Sequence, residues 1–195
     1  MIKKSILAGV AISIGCIAYL ITGYAWLFPI GLFIVCTYKL NLFTGKVCYV
    51  NSDPFEIAQL IYIWLFNIIS AYGMGILMQY VRPDLIEKAH VLYEMKMSTG
   101  PGQFIVKAIL CNVMIFVAVD VFKKFDGTMF GFAGLIFATT IFVACGFEHC
   151  VANSFYLGLG TVFNMQNIVV NLELLMINTV FNAIGGIFTY RLMGA

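Results

Sequence analysis

The chain has 195 residues, of which 62% are hydrophobic and 10% charged, with a net charge of +2. An average soluble domain carries roughly 25% charged and 45–50% apolar residues, so a soluble fold is excluded, and the small, dispersed positive charge excludes a nucleic-acid-binding surface. Apolar stretches recur six times, and about 20 such residues cross a hydrocarbon core of roughly 30 Å, which predicts an all-α membrane protein with six spans in one compact domain.

The first expected span covers residues 4–21 and is closed by Gly23. Its opening lysines and apolar run mimic a secretory signal, but no small-residue cleavage site followed by a hydrophilic segment appears, so it is read as a span. The second begins near Ala25 and its apolar run stops at Tyr38-Lys39, too short to cross alone. After Asn41-Leu42-Phe43-Thr44-Gly45-Lys46, the small polar residues of Asn51-Ser52-Asp53-Pro54 predict a turn.

The third span is expected over 55–81, and residues 82–102 form the one extended polar stretch. The spacing of Leu85, Ile86, Ala89, Leu92 and Tyr93 there predicts a short helix lying in the membrane interface. The fourth span, 103–122, ends at Lys123-Lys124-Phe125-Asp126-Gly127. The fifth starts at Met129, is interrupted by Gly146-Phe147-Glu148-His149 and resumes over 151–162; the sixth covers 167–192.

Basic residues favour the cytoplasmic side. With both termini inside, Lys3, Lys4, Lys46, Lys123, Lys124 and Arg191 are cytoplasmic against Arg82, Lys88 and Lys96 outside, six to three, so both termini are expected in the cytoplasm of a cell-membrane protein. Of the six cysteines, Cys16, Cys36, Cys111 and Cys145 lie in apolar segments, and Cys48 and Cys150 flank the expected breaks. None has zinc or redox spacing, so they are read as packing residues. His90 and His149 lack the spacing a metal or haem would need, so no cofactor is expected.

The halves of the chain repeat. Lys4-Ser5-Ile6-Leu7 matches Lys107-Ala108-Ile109-Leu110 at an offset of 103, residues 41–46 face 148–153 at an offset of 107, and Asn67-Ile68-Ile69-Ser70 corresponds to Asn182-Ala183-Ile184-Gly185. Three spans followed by three puts the halves in opposite orientations: repeat one over 1–81, the interfacial segment 82–102, repeat two over 103–195. Inverted repeats with one broken helix each form a transport architecture, because unwound backbone is tolerated at membrane depth only where protein or a cavity satisfies it.

Glu148-His149 lies within an apolar segment, where an ionisable residue is costly unless it faces a partner or a water-filled cavity. Glu148 is expected to pin the broken backbone by accepting freed amide hydrogens. His149 is read as functional, against the alternative of a neutral histidine locking two helices. Set opposite it by the repeat, Thr44 is a candidate hydrogen-bond partner for a ligand, beside the flexible Gly45.

At these residues the sequence resembles the formate/nitrite transporter family. Gly146-Phe147-Glu148-His149-Cys150-Val151-Ala152-Asn153 resembles its fifth-span signature, Asn41-Leu42-Phe43-Thr44-Gly45-Lys46 its second-span Ω-loop, Phe28-Pro29-Ile30-Gly31-Leu32 the approach to that loop, and Asn182-Ala183-Ile184-Gly185-Gly186 its sixth-span motif. The resemblance implies an aquaporin-like fold and a homopentamer with a pore in each protomer. It also implies His149 as central pore histidine, Thr44 and Asn178 as partners, Phe28, Leu32, Phe43 and Phe142 as constrictions, and Lys4 and Lys107 in the vestibules. Asn41 and Lys46 depart from the family pattern, which usually has Glu and Asn there. The implied cargo is a small inorganic or one-carbon anion, or its weak acid (formate, nitrite or hydrosulfide), moved passively or with a proton, and the implied protein is no enzyme. A neutral-solute pore of the water or urea type also uses broken half-helices and is the alternative; the paired lysines argue against it.

Overall fold

The computed structural model describes residues 1–51, 53–161 and 165–193. Among them the chain is helical throughout, with no strand. Ser52, in the expected turn, and Val162, at the end of the resumed fifth segment, lie outside the described residues.

Among the described residues nine α-helices follow in order: α1 (Ile2–Thr22), α2 (Pro29–Thr37), α3 (Phe43–Lys46), α4 (Pro54–Val81), α5 (Ile86–Met97), α6 (Pro101–Lys124), α7 (Met129–Ala144), α8 (Cys150–Gly160) and α9 (Met165–Met193). Four of them, α1, α4, α6 and most of α9, are long and apolar enough to cross a membrane. The apolar stretches Ala25–Thr37 and Met129–Ala144 are shorter.

Local chemistry sets the ends. Gly23 closes α1 in the left-handed conformation (φ 73°) that glycine adopts without a Cβ penalty. Asp53 caps α4 by accepting the Phe55 amide at 2.9 Å, with Pro54 at the first helical position, so the helix starts one residue before the expected apolar run. Pro101 likewise starts α6 ahead of Gln103, and Lys123 and Lys124 sit in its last turn, where cations complement the helix dipole.

Glycines bring the helices together. A side chain on Gly75 or Gly158 would strike backbone across the α4–α8 contact, and one on Gly185 would strike the Ile109 carbonyl of α6. Gly186 faces Asn112 and Cys48, whereas Gly73 faces open space. Gly75, Gly185 and Gly186 therefore pack within the chain. Trp64 of α4 donates to Thr179 of α9 at 2.8 Å. Leu85, Ala89 and Tyr93 of the polar segment are buried, and the Gly160 backbone of α8 lies against Ala89 and His90. The helix expected in the membrane interface thus has its apolar stripe on α8. Large apolar side chains such as Tyr62, Leu65 and Ile69 on α4, and Val180, Ile184 and Phe188 on α9, are exposed.

Candidate functional site

The site is built where two helices stop short and the chain runs extended before the next helix begins. After α2, Leu40 N donates to Val35 O at 2.9 Å and Lys39 N to Cys36 O at 3.2 Å, with Lys39 at φ 50°. After α7, Phe147 N donates to Phe142 O and Gly146 N to Val143 O, both at 3.0 Å, with Gly146 at φ 63°. These are the same left-handed helix terminations.

Extended backbone at such a depth leaves polar groups that protein must satisfy. Asn67 of α4 satisfies the first break: its Oδ1 accepts from Phe43 N at 2.8 Å, and its Nδ2 donates to Ser5 O at 2.7 Å and Asn41 O at 3.0 Å. Asn182 of α9 satisfies the second: its Oδ1 accepts from Cys150 N at 3.0 Å, and its Nδ2 donates to Ala108 O at 2.7 Å and Glu148 O at 2.8 Å. Asn41 N further donates to Lys4 O at 3.2 Å, and Glu148 N to Lys107 O at 3.3 Å.

His149 caps α8: its Nδ1 accepts the Ala152 amide at 3.1 Å, while its Nε2 lies 3.0 Å from Thr44 Oγ1. A backbone amide can only donate, so Nδ1 must be unprotonated. The neutral ring then carries its hydrogen on Nε2 and donates it to Thr44, which leaves the Thr44 hydroxyl hydrogen free to donate elsewhere. Protonating Nδ1 would break the cap. Both side chains are buried, and the imidazole stacks on Phe142 with centroids 5.9 Å apart; Phe142 meets Phe28 edge-on at 5.3 Å.

Among the described residues the Glu148 carboxylate accepts no backbone amide. It takes Lys96 Nζ at 2.6 Å and Asn153 Nδ2 at 2.8 Å, in a position that leaves Glu148 2% exposed. The expectation that this carboxylate pins the broken backbone is corrected: Asn182 and Asn178 do so through their amides, Asn178 Nδ2 donating to Glu148 O at 2.7 Å. Asn178 spends its Oδ1 on Asn153 at 3.0 Å and so faces the Glu148 network, not the imidazole.

Two cavities approach the His149–Thr44 pair. One of about 70 Å³ is lined by Lys96, His149, Phe28, Phe142, Asn153 and Tyr156 among others. The second, of about 520 Å³, has an apolar wall of Leu32, Val35, Leu42 and Val119 and carries Lys39, Lys46 and Lys123. Gly45, next to Thr44, lines this larger cavity. Each member of the pair is thereby beside one of the two cavities.

The family described as Formate/nitrite transporter matches residues 1–194. The chain belongs to the formate/nitrite transporter family. It is accordingly a multi-pass membrane protein. A curated relative, the "Probable formate transporter" of Methanothermobacter thermautotrophicus, is 25% identical over 160 residues, 68% of this chain and 58% of that protein. The chain thus spans somewhat over half the length of that relative. Among solved structures, an "FNT family ion channel" superposes with a TM-score of 0.87 at 22% identity, covering 95% of this chain and 85% of that one. A "Pentameric formate channel with formate bound" superposes with a TM-score of 0.76 at 20% identity, covering 95% and 89%. These likenesses give the fold.

In this member of the formate/nitrite transporter family, the residues singled out in the sequence separate into groups. His149 and Thr44 meet; Phe28 and Phe142 line the smaller cavity, and Leu32 and Gly45 the larger. Phe43 lines neither; its neighbour Leu42 takes that place, while the Phe43 amide is held by Asn67. Lys4 and Lys107 also line neither cavity, and contribute backbone carbonyls to the breaks. The cations that do line them are Lys39, Lys46 and Lys123 on one side and Lys96 on the other. From the sequence Lys96 is one of three basic residues expected outside, and its reach to Glu148, 52 residues away, carries no local signal.

Proposed function

We propose that the chain carries small monovalent anions or their weak acids, of the formate, nitrite and hydrosulfide class, through a pore in each protomer. The observation that carries this reading is the buried His149–Thr44 hydrogen bond, with His149 lining one lysine-bearing cavity and Gly45, next to Thr44, lining another. The excess of lysines at the larger cavity concentrates anions at that mouth, while Lys96 at the other is paired with Glu148. A bare charge is then opposed by the apolar necks, which favours its neutral form and raises its pKa.

The tautomer argument supports a neutral His149 acting with Thr44 as a hydrogen-bonding pair. The Thr44 hydroxyl hydrogen is directed to an acceptor atom of the passing acid, oxygen in formate or nitrite and sulfur in hydrosulfide, and the acid takes its proton from vestibule water. Phe28 and Phe142 form the neck on the Lys96 side, and Leu32 with Leu42 the neck on the other.

The finer architecture belongs to the same proposal. Residues 1–81 and 103–195 are two inverted repeats of three spans, with α2–α3 and α7–α8 as the broken spans and 82–102 between them. The matched bonding of Asn67 and Asn182 supports that division. The termini are cytoplasmic in a cell membrane, supported by the charge bias. Five copies form a homopentamer, supported by the pentameric channel of like fold and by the exposed apolar faces of α4 and α9.

The test is flux of formate, nitrite and hydrosulfide into proteoliposomes at two pH values, in the native protein and in His149→Phe. Flux that rises as pH falls and is suppressed in the variant is expected. Passage of urea or water with none of the three anions would overturn the reading.

A further inference from the structure

Lys39 holds a backbone conformation that side-chain-bearing residues avoid. It is the one non-glycine with positive φ (50°) among the described residues. The equivalent termination after α7 places Gly146 there at φ 63°, and glycine is the residue this turn favours. A strained residue persists where its surroundings hold it, and such residues gather at functional sites.

The Lys39 side chain belongs to the wall of the larger cavity, with Lys46 and Lys123. Among the described residues Asp126 is the only carboxylate lining it, against three lysines, of which Lys46 and Lys123 also line an adjoining cavity with Glu56. Nearby Asp120 is taken by Lys124 at 2.9 Å, and Lys123 lies over the Tyr49 ring at 4.0 Å. At about 520 Å³ the space is in the range of small-molecule sites. Its far wall is apolar, with Leu32 and Leu42.

We propose that this cavity is a receiving site for small divalent oxyanions of the sulfate and hydrogen phosphate class, held by Lys39, Lys46 and Lys123. Such an ion competes with the permeant monovalent anion from the face that carries Lys39. Attraction to the lysines grows with ligand charge, as does the penalty for entering the apolar neck. One proton neutralises formate or nitrite but leaves a divalent oxyanion charged, so it lodges and does not pass. The competition rests on the transport reading; the binding site does not.

Cys36 lines the same cavity and reports on it, while the exposed Cys145 lies outside its lining and serves as a control. The detergent-purified native protein is treated with uncharged iodoacetamide at constant ionic strength, with and without sodium sulfate, and labelling of each cysteine is followed by peptide mass spectrometry. Sulfate is expected to slow labelling at Cys36 by roughly tenfold and to leave Cys145 unchanged. In Lys39→Gly, which suits the backbone and so retains the fold, the protection is expected to fall severalfold. Equal Cys36 labelling with and without sulfate in the native protein, or undiminished protection in Lys39→Gly, overturns the site. Formate flux into proteoliposomes is measured in parallel. Protection without any formate flux leaves the site standing and removes the transport reading, and flux without protection does the reverse.

Discussion

Asn67 and Asn182, 115 residues apart, make the same three hydrogen bonds to equivalent atoms: one amide at the start of the helix after a break, one carbonyl within the break, and one carbonyl of the neighbouring long helix. Each side chain is buried and supplies one acceptor and two donors to backbone that has no helical partner. The breaks are thereby held by a side chain as firmly as a turn of helix would hold them.

Replacing either asparagine with leucine keeps volume and removes all three bonds. Ser5 and Ala108 are helical and keep their own partners, and Glu148 O keeps Asn178 Nδ2 at 2.7 Å. Asn67→Leu therefore orphans the Asn41 carbonyl and the Phe43 amide, and Asn182→Leu the Cys150 amide alone. At about 1–3 kcal/mol for each buried group left unpaired, Asn67→Leu is expected to lose about 2–4 kcal/mol and Asn182→Leu about 1–3 kcal/mol. Unfolding in detergent, followed by circular dichroism with denaturant, reads this. A loss at both, larger at Asn67, supports the equivalence of the two clamps, and a large loss at one with none at the other contradicts it.

His149 combines a helix cap with a hydrogen bond to Thr44, and two substitutions separate these contacts. Asn retains a side-chain acceptor for the Ala152 amide but loses the group that reaches Thr44; Phe loses both. His149→Asn is expected to unfold close to the native midpoint while anion flux falls by an order of magnitude or more. His149→Phe is expected to lose about 1 kcal/mol in addition, the usual worth of a cap. Native flux in the Asn variant would remove the Nε2 hydrogen bond from the mechanism.

Much of this was legible in the sequence because apolar length and interruption are local signals. The four long helices, the polar stretch around Ala89 and Tyr93, and interruptions beginning near Lys39 and Gly146 follow from runs, prolines, glycines and buried polar residues, whereas residues 43–46 of the expected loop are helical. The pairing of Thr44 with His149 followed from the internal repeat. What the sequence hid were contacts joining distant segments: Lys96 to Glu148, Asn153 to Asn178, and the substitution of Leu42 for Phe43 in the cavity wall. Adjacent residues in an extended break point to opposite sides, and no periodic pattern extends through so short a segment to say which of Leu42 and Phe43 faces inward.

The Lys96–Glu148 pair joins α5 to the second break and is largely removed from water, with Lys96 20% and Glu148 2% exposed in their side chains. Removing one partner leaves a buried charge, whereas removing both leaves none. Lys96→Met is expected to destabilise by about 2–4 kcal/mol, eased by the remaining bond from Asn153. Lys96→Met with Glu148→Gln is expected to be less damaging than the sum of the single changes, by about 1–3 kcal/mol of coupling in a double-mutant cycle. Additive losses would mean that the pair contributes nothing as a pair. Lys96→Met is also expected to slow anion entry from the Lys96 side, because the carboxylate is left without its cation, and Glu148→Gln to quicken it, because the ammonium is left without its anion.

Lys39 and Gly146 offer the opposite experiment, in which a gain is expected. Both hold the left-handed conformation, and a Cβ placed on Gly146 would meet nothing within 4 Å, so backbone preference alone decides the outcome. Exchanging Lys39 for glycine relieves the strain of a side chain at positive φ, partly offset by the greater freedom glycine has in the unfolded chain. The variant is expected to be more stable by up to about 1 kcal/mol. Gly146→Lys reverses the argument and is expected to lose about 1 kcal/mol. If Lys39→Gly raises the unfolding midpoint while weakening sulfate protection of Cys36, the lysine is kept for its charge at the expense of stability. If it lowers the midpoint, contacts of the Lys39 side chain outweigh the strain, and the backbone argument for a functional lysine fails.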